Sequence, residues 1–138
     1  MGAVQRNETL SSLGAGTIAT EAKANYDKNL FIVNVDKTLA ASEDPIVKFK
    51  YRGPTGTVSL VEAVVGTADS GTAATVNVEI GGTSCLTGAI SLGATYTSGT
   101  IDTGNDDIVD GEDVEVVFTA GSVGDADNLT VNIQVQTN

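Results

Sequence analysis

Ala74-Thr75-Val76-Asn77-Val78-Glu79-Ile80-Gly81-Gly82 decides the fold class. Ala74, Val76, Val78 and Ile80 alternate with Thr75, Asn77 and Glu79. A period of two places all four apolar side chains on one face of a strand and the polar ones on the other. The paired glycines then supply a two-residue turn, so residues 83–87 are expected to return as the second arm of a hairpin.

The same alternation recurs on both sides. Towards the C-terminus, Val114, Val116 and Phe118 alternate with Glu115 and Val117, and Leu129, Val131, Ile133 and Val135 with Thr130, Asn132, Gln134 and Gln136. Towards the N-terminus, Phe31, Val33 and Val35 share a face, as do Val47, Phe49 and Tyr51 with Lys48, Lys50 and Arg52 opposite them. Residues 57–66 change phase at 60–61: Val58 and Leu60 point one way and Val61, Ala63 and Val65 the other, which predicts a bulge or a strand buried on both faces. Ile90 and Leu92 mark a short strand. Residues 93–112 are mostly Gly, Thr, Asp and Asn, with one short strand expected near Ile101. About eight or nine strands without a long helix predict an all-β chain, an antiparallel β-sandwich or jelly-roll-like domain, over residues 29–138. Residues 1–28 show neither period and are read as an N-terminal arm.

Composition narrows the chemistry. The 138 residues are 41% hydrophobic but only 4% aromatic, and histidine is absent. The chain therefore lacks the side chain that most often serves as general base and as nitrogen ligand for transition metals. Cys85 is the single cysteine, which excludes an internal disulfide and a thiolate cluster. It lies within a predicted strand and reads as a small buried hydrophobe. Ser and Thr have no base beside them and no nucleophile motif, so no enzyme activity and no cofactor are expected. The acidic run Asp102 to Glu115 invites a calcium reading, but the EF-hand template fails: with Asp106 first, Ile108 falls third and Val117 twelfth, where a glutamate is needed. A solvated turn leading into the next strand is the plainer reading.

Net charge is −11, and its distribution is uneven. All seven Lys and Arg fall within residues 1–52, and the remainder of the chain holds acids only. Such a body repels phosphate, so no nucleic-acid partner is expected. No apolar run reaches the roughly 20 residues of a membrane helix, and the N-terminus has no signal-peptide pattern. Arg6, Lys23, Lys48, Lys50 and Arg52 are the candidate partner-contact residues, complementary to an acidic neighbour.

From Gly56 onward the chain resembles the decoration (cement) and head-fibre proteins of tailed bacteriophages. Thr57-Val58-Ser59-Leu60-Val61-Glu62-Ala63 followed by Thr75–Ile80 and Gly81-Gly82-Thr83, then Gly111-Glu112-Asp113-Val114-Glu115-Val116, then Leu129-Thr130-Val131-Asn132-Ile133-Gln134-Val135 carry the likeness. It implies a virion structural protein that binds the outer capsid surface and stabilises it. The implied partners are the major capsid protein and further copies of the chain, a trimer before a dimer, with synthesis in the host cytoplasm. A receptor- or carbohydrate-binding module of a tail fibre or adhesin is the alternative, with Tyr96 as its loop aromatic.

Overall fold

Gly81 and Gly82 both have positive φ, 58° and 84°, the backbone of a tight hairpin turn that side chains resist. Around them β4 (Thr75–Ile80) folds back on β5 (Thr83–Ser84), with Glu79 opposite Ser84 and Ile80 opposite Thr83. A computed structural model describes residues 28–137, and among these it contains ten strands and no helix. The others are β1 (Lys28–Thr38), β2 (Glu43–Lys50), β3 (Gly56–Thr67), β6 (Ile90–Ser91), β7 (Thr97–Ser98), β8 (Asp107–Ile108), β9 (Asp113–Thr119) and β10 (Asp127–Thr137). Apart from Lys28, the arm assigned to residues 1–28 lies outside the described residues, as do Arg6 and Lys23.

Two five-stranded antiparallel sheets face each other. The first runs β1-β10-β3-β7, with β8 also on β3; the second runs β2-β9-β4-β5, with β6 also on β4. The first four strands alternate between sheets. β10 then inserts between β1 and β3, and β9 between β2 and β4. This wrapping is that of a jelly roll.

The predicted alternation selects the core. Val76, Val78, Val116, Phe118, Leu129, Val131, Ile133 and Val135 are all buried between the sheets. Their outward neighbours are only partly covered.

Three local expectations need correction. The bulge in β3 falls at Ser59: Gln134 of β10 pairs with Leu60 and Val135 with Val58, which leaves Ser59 without a counterpart. Val58 therefore joins Val61 in the core, and Leu60 turns to the outer face. The Ser59 hydroxyl fixes the bulge by donating to Gln134 O (3.3 Å) or its Oε1 (3.2 Å). The return arm expected over 83–87 is only two residues long, because Ser84 Oγ captures Leu86 O at 2.8 Å and Leu86 N at 3.1 Å and bends the chain. Ile101 makes a single bridge to Leu86 rather than a strand. The turn at Asp102 ends it: the carboxylate accepts from Gly104 N (3.0 Å) and Asn105 Nδ2 (2.8 Å), the local side-chain bonding that competes with a ladder.

Candidate interaction surfaces

The two outer faces differ in chemistry. On the second sheet, β2, β9 and β4 align Lys48, Glu115 and Glu79 in one row, with Lys50 opposite Asp113 in the next. Lys48 Nζ lies 2.7 Å from Glu115 Oε1 and 3.1 Å from Asp113 Oδ2; Lys50 Nζ lies 2.7 Å from Asp113 Oδ1. Lys50 and then Lys48 hold the Asp113 carboxyl below its ordinary pKa, and Glu115 with Asp113 raises that of Lys48. Arg52 reaches Asp110 at 3.5 Å. Three of the expected partner contacts are thus brought together, but each faces an acid of its own chain. Exposed pairs of this kind add little stability; they do neutralise the stripe.

The middle of the first sheet's outer face is built from three rows. Leu30, Gln134 and Leu60 form one; Ile32, Asn132 and Glu62 the next; Asn34, Thr130 and Val64 the third. Leu30 is 54% exposed and Ile32 65%. Asn132 donates to Glu62 Oε1 at 3.0 Å, while its own buried Oδ1 has no partner. Asn34 Nδ2 spans Asn128 Oδ1 (3.0 Å) and Thr130 Oγ1 (2.9 Å). Across these nine positions Glu62 is the only ionisable residue. The sequence did carry this signal, since Leu30 and Ile32 interrupt the polar half of the first strand's alternation.

Between the sheets, at the side bounded by β1 and β2, Phe31 packs on Phe49 and Tyr51 with ring centroids 5.8 and 5.7 Å apart. The Tyr51 hydroxyl donates to Pro54 O at 2.7 Å. The apolar gap bordered by these rings and by Val78, Val114 and Ile133 is too tight to admit water.

At one end of the roll, a residue the sequence did not single out organises two loops. Asp69 is 8% exposed. Its carboxylate accepts from the backbone N–H groups of Gly71 (2.9 Å), Val123 (3.2 Å), Gly124 (2.7 Å) and Asp125 (3.3 Å). Burial pushes its pKa up, but the four donors outweigh that and hold it below the ordinary value. Asp125 answers by accepting from Ser70 N at 2.8 Å and Ser70 Oγ at 2.6 Å. The β3–β4 and β9–β10 connections are therefore stapled reciprocally.

The acidic run 102–115 is dispersed over the Asp102 turn, β8 and β9. Among the described residues, no three His, Cys, Asp or Glu side chains converge in a group fit for a metal ion. Cys85 is buried, and burial pushes its thiol up to about 12. Tyr96 is 53% exposed in the β6–β7 connection. Among the described residues no helix is long and apolar enough to cross a membrane.

No family of known proteins matches the chain, and no curated protein matches it. Among solved structures it is similar to dimeric latent PorU from Porphyromonas gingivalis, at 15% identity and a TM-score of 0.38. That alignment covers 81% of this chain and 13% of PorU, so the chain spans a small fraction of that protein's length.

Proposed function

We propose that the chain is a structural protein of a tailed-phage virion, one that docks on the outer capsid surface and stabilises it. One observation carries this reading: the outer face of the β1-β10-β3 sheet presents Leu30, Ile32, Leu60 and Val64 among amides and hydroxyls, on a chain whose net charge is −11. An exposed apolar face on a strongly charged protein favours a partner surface over water. The docking face is thus this sheet rather than the lysine stripe, whose charges meet their own acids. The opposite sheet, with its salt-bridged rows, faces solvent and keeps the assembly soluble. The jelly roll also occurs in capsid and lectin domains, an analogy of fold only.

The test is co-sedimentation of the full chain with purified tailed-phage capsids stripped of their decoration protein. Wild-type protein is expected to pellet with the capsids. Leu60→Glu combined with Val64→Glu, both on partly exposed outward positions, is expected to weaken binding at least about tenfold, the cost of burying unpaired charge at an interface. Binding unchanged by the double substitution removes this face from the reading. Absence of binding, together with retention on a glycan surface that is lost in Tyr96→Ala, replaces it with a carbohydrate-binding module.

A further inference from the structure

Among the described residues, the edges of the two sheets are not guarded alike. A free strand edge offers unpaired N–H and C=O groups to any other strand. Proteins blunt it with lysines, proline, bulges or very short strands. β2 carries Pro45, Lys48 and Lys50, with a register shift between Glu43 and Val47. β5, β6, β7 and β8 are two residues each. β1 is eleven residues long, and its lysines, Lys28 and Lys37, stand near its two ends and leave residues 29–35 free of charge. Its ladder to β10 is regular from Lys28 to Val35, and its outward side chains include Leu30 and Ile32.

We propose that β1 pairs antiparallel with β1 of a second copy about a two-fold axis at Ile32. A two-fold axis perpendicular to the sheet keeps outward residues beside outward residues, so the axis passes through one residue or an equivalent even-sum register. With Ile32 opposite Ile32, Leu30 faces Asn34 of the second copy and Lys28 faces Asp36. Both charges point outward, and neither makes an ion pair among the described residues. Opposite charges directly across a strand pair stabilise it. Centring the axis one residue earlier places Lys28 against Asn34 and leaves Asp36 outside the ladder. Centring it one residue later sets Leu30 against Asp36 and runs the ladder past the irregularity between Val35 and Thr38. The Ile32 register aligns both charge pairs and runs only one residue past Val35, the last regular pair before that irregularity.

Pairing at the edge leaves the outer face uncovered. The two copies form one ten-stranded sheet whose rows continue across the axis, doubling the apolar and amide surface described above. The product is a dimer, in place of the trimer that the phage likeness implies. The inference concerns the edge and does not depend on what the face docks on, and a failed capsid assay leaves it standing.

Size-exclusion chromatography with light scattering on the full chain tests it at about 100 µM, above the dissociation constant of a micromolar interface. Wild-type protein is expected at twice the chain mass, and Ile32→Lys at one chain mass with an unchanged far-ultraviolet spectrum. The register is read by oxidation. Residues opposite each other in an antiparallel pair have Cα atoms about 4.5–5.5 Å apart, within disulfide reach. Ile32→Cys is therefore expected to give a disulfide-linked dimer, Asn34→Cys none, and Leu30→Cys with Asn34→Cys a linked dimer again. The buried Cys85 keeps the wild-type background silent. A wild-type monomer overturns the proposal. So does a three-chain mass, a dimer that survives Ile32→Lys, or linkage through Asn34→Cys without linkage through Ile32→Cys.

Discussion

Phe31 and Tyr51 meet edge to face at 5.7 Å, one on the outermost strand of the first sheet and the other just beyond the outermost strand of the second. Together with Phe49 they close the side of the roll where β1 and β2 both end their sheets. Tyr51 is almost wholly buried, whereas Phe31 and Phe49, each on a strand with one neighbour, are only half-buried.

Phe31→Ala is therefore expected to lower stability by about 2 kcal/mol, below the 3–5 of a fully enclosed ring. Phe31→Leu, which keeps most of the apolar volume, should lose less than half of that. Urea unfolding followed by far-ultraviolet circular dichroism measures both. Equal losses for the two substitutions would show that the ring geometry, not the buried volume, holds the edge strands together.

Asp69 makes the fold acid-sensitive. Its folded pKa lies below the ordinary carboxylate value, so its contribution is complete above the unfolded value of about 3.9 and is lost as pH falls through the folded one. Asp69→Asn keeps the shape but turns one acceptor into a donor aimed at backbone N–H groups. At pH 7 the variant is expected to melt roughly 5 °C or more below wild type. Below about pH 4 the gap should narrow, because wild type loses what the variant never had. Calorimetry at several pH values reads both effects. Parallel melting curves across that range would remove the carboxylate from the acid response.

How much of this was legible in the sequence follows from the range of each interaction. The alternating runs at 74–80, 113–119 and the C-terminal strand reappear as β4, β9 and β10, because burial of one face is written locally in a period of two. The Gly81-Gly82 turn was equally local. Strand order was not legible, since nothing in β10 alone says that it inserts between β1 and β3. The Asp69 staple escaped because its donors lie at Gly71 and, more than fifty residues on, at Val123, Gly124 and Asp125. The basic stripe was read correctly as a strand face, but its acid partners sit on a strand over sixty residues away.

Cys85 is expected to be chemically silent. A thiol pushed up to about 12 by burial exposes only about one thiolate in ten thousand at pH 8, and the thiolate is the reactive form. Modification by an aromatic disulfide reagent should therefore proceed at the rate of opening of the fold and accelerate with urea in step with unfolding. A fast stoichiometric reaction in native buffer would show a local path to the thiol that the packing of β4 and β5 does not suggest.

Glu79 carries the opposite sign from Asp69. Burial raises its pKa, and the neighbouring Asp44 and Glu115 raise it further. Glu115 stands directly opposite it on β9, and Lys48 engages Glu115 from the other side. The folded state therefore holds a proton on Glu79 more tightly than the unfolded chain does. The charge weakens the fold at neutral pH, and the penalty fades as pH falls through the folded value towards the unfolded one, about 4.3. Glu79→Gln is expected to stabilise the protein at pH 7 by about 0.5 kcal/mol, the scale of one like-charge pair across a ladder. The gain should shrink in about 1 M salt, which screens the repulsion, and vanish below about pH 4, where both states of the wild type are protonated. Urea unfolding at the two pH values and two salt concentrations separates this from a packing effect, which would persist under all four conditions. A loss of stability at pH 7 would mean that Glu79 has a favourable role in the row that its repulsion from Glu115 does not outweigh.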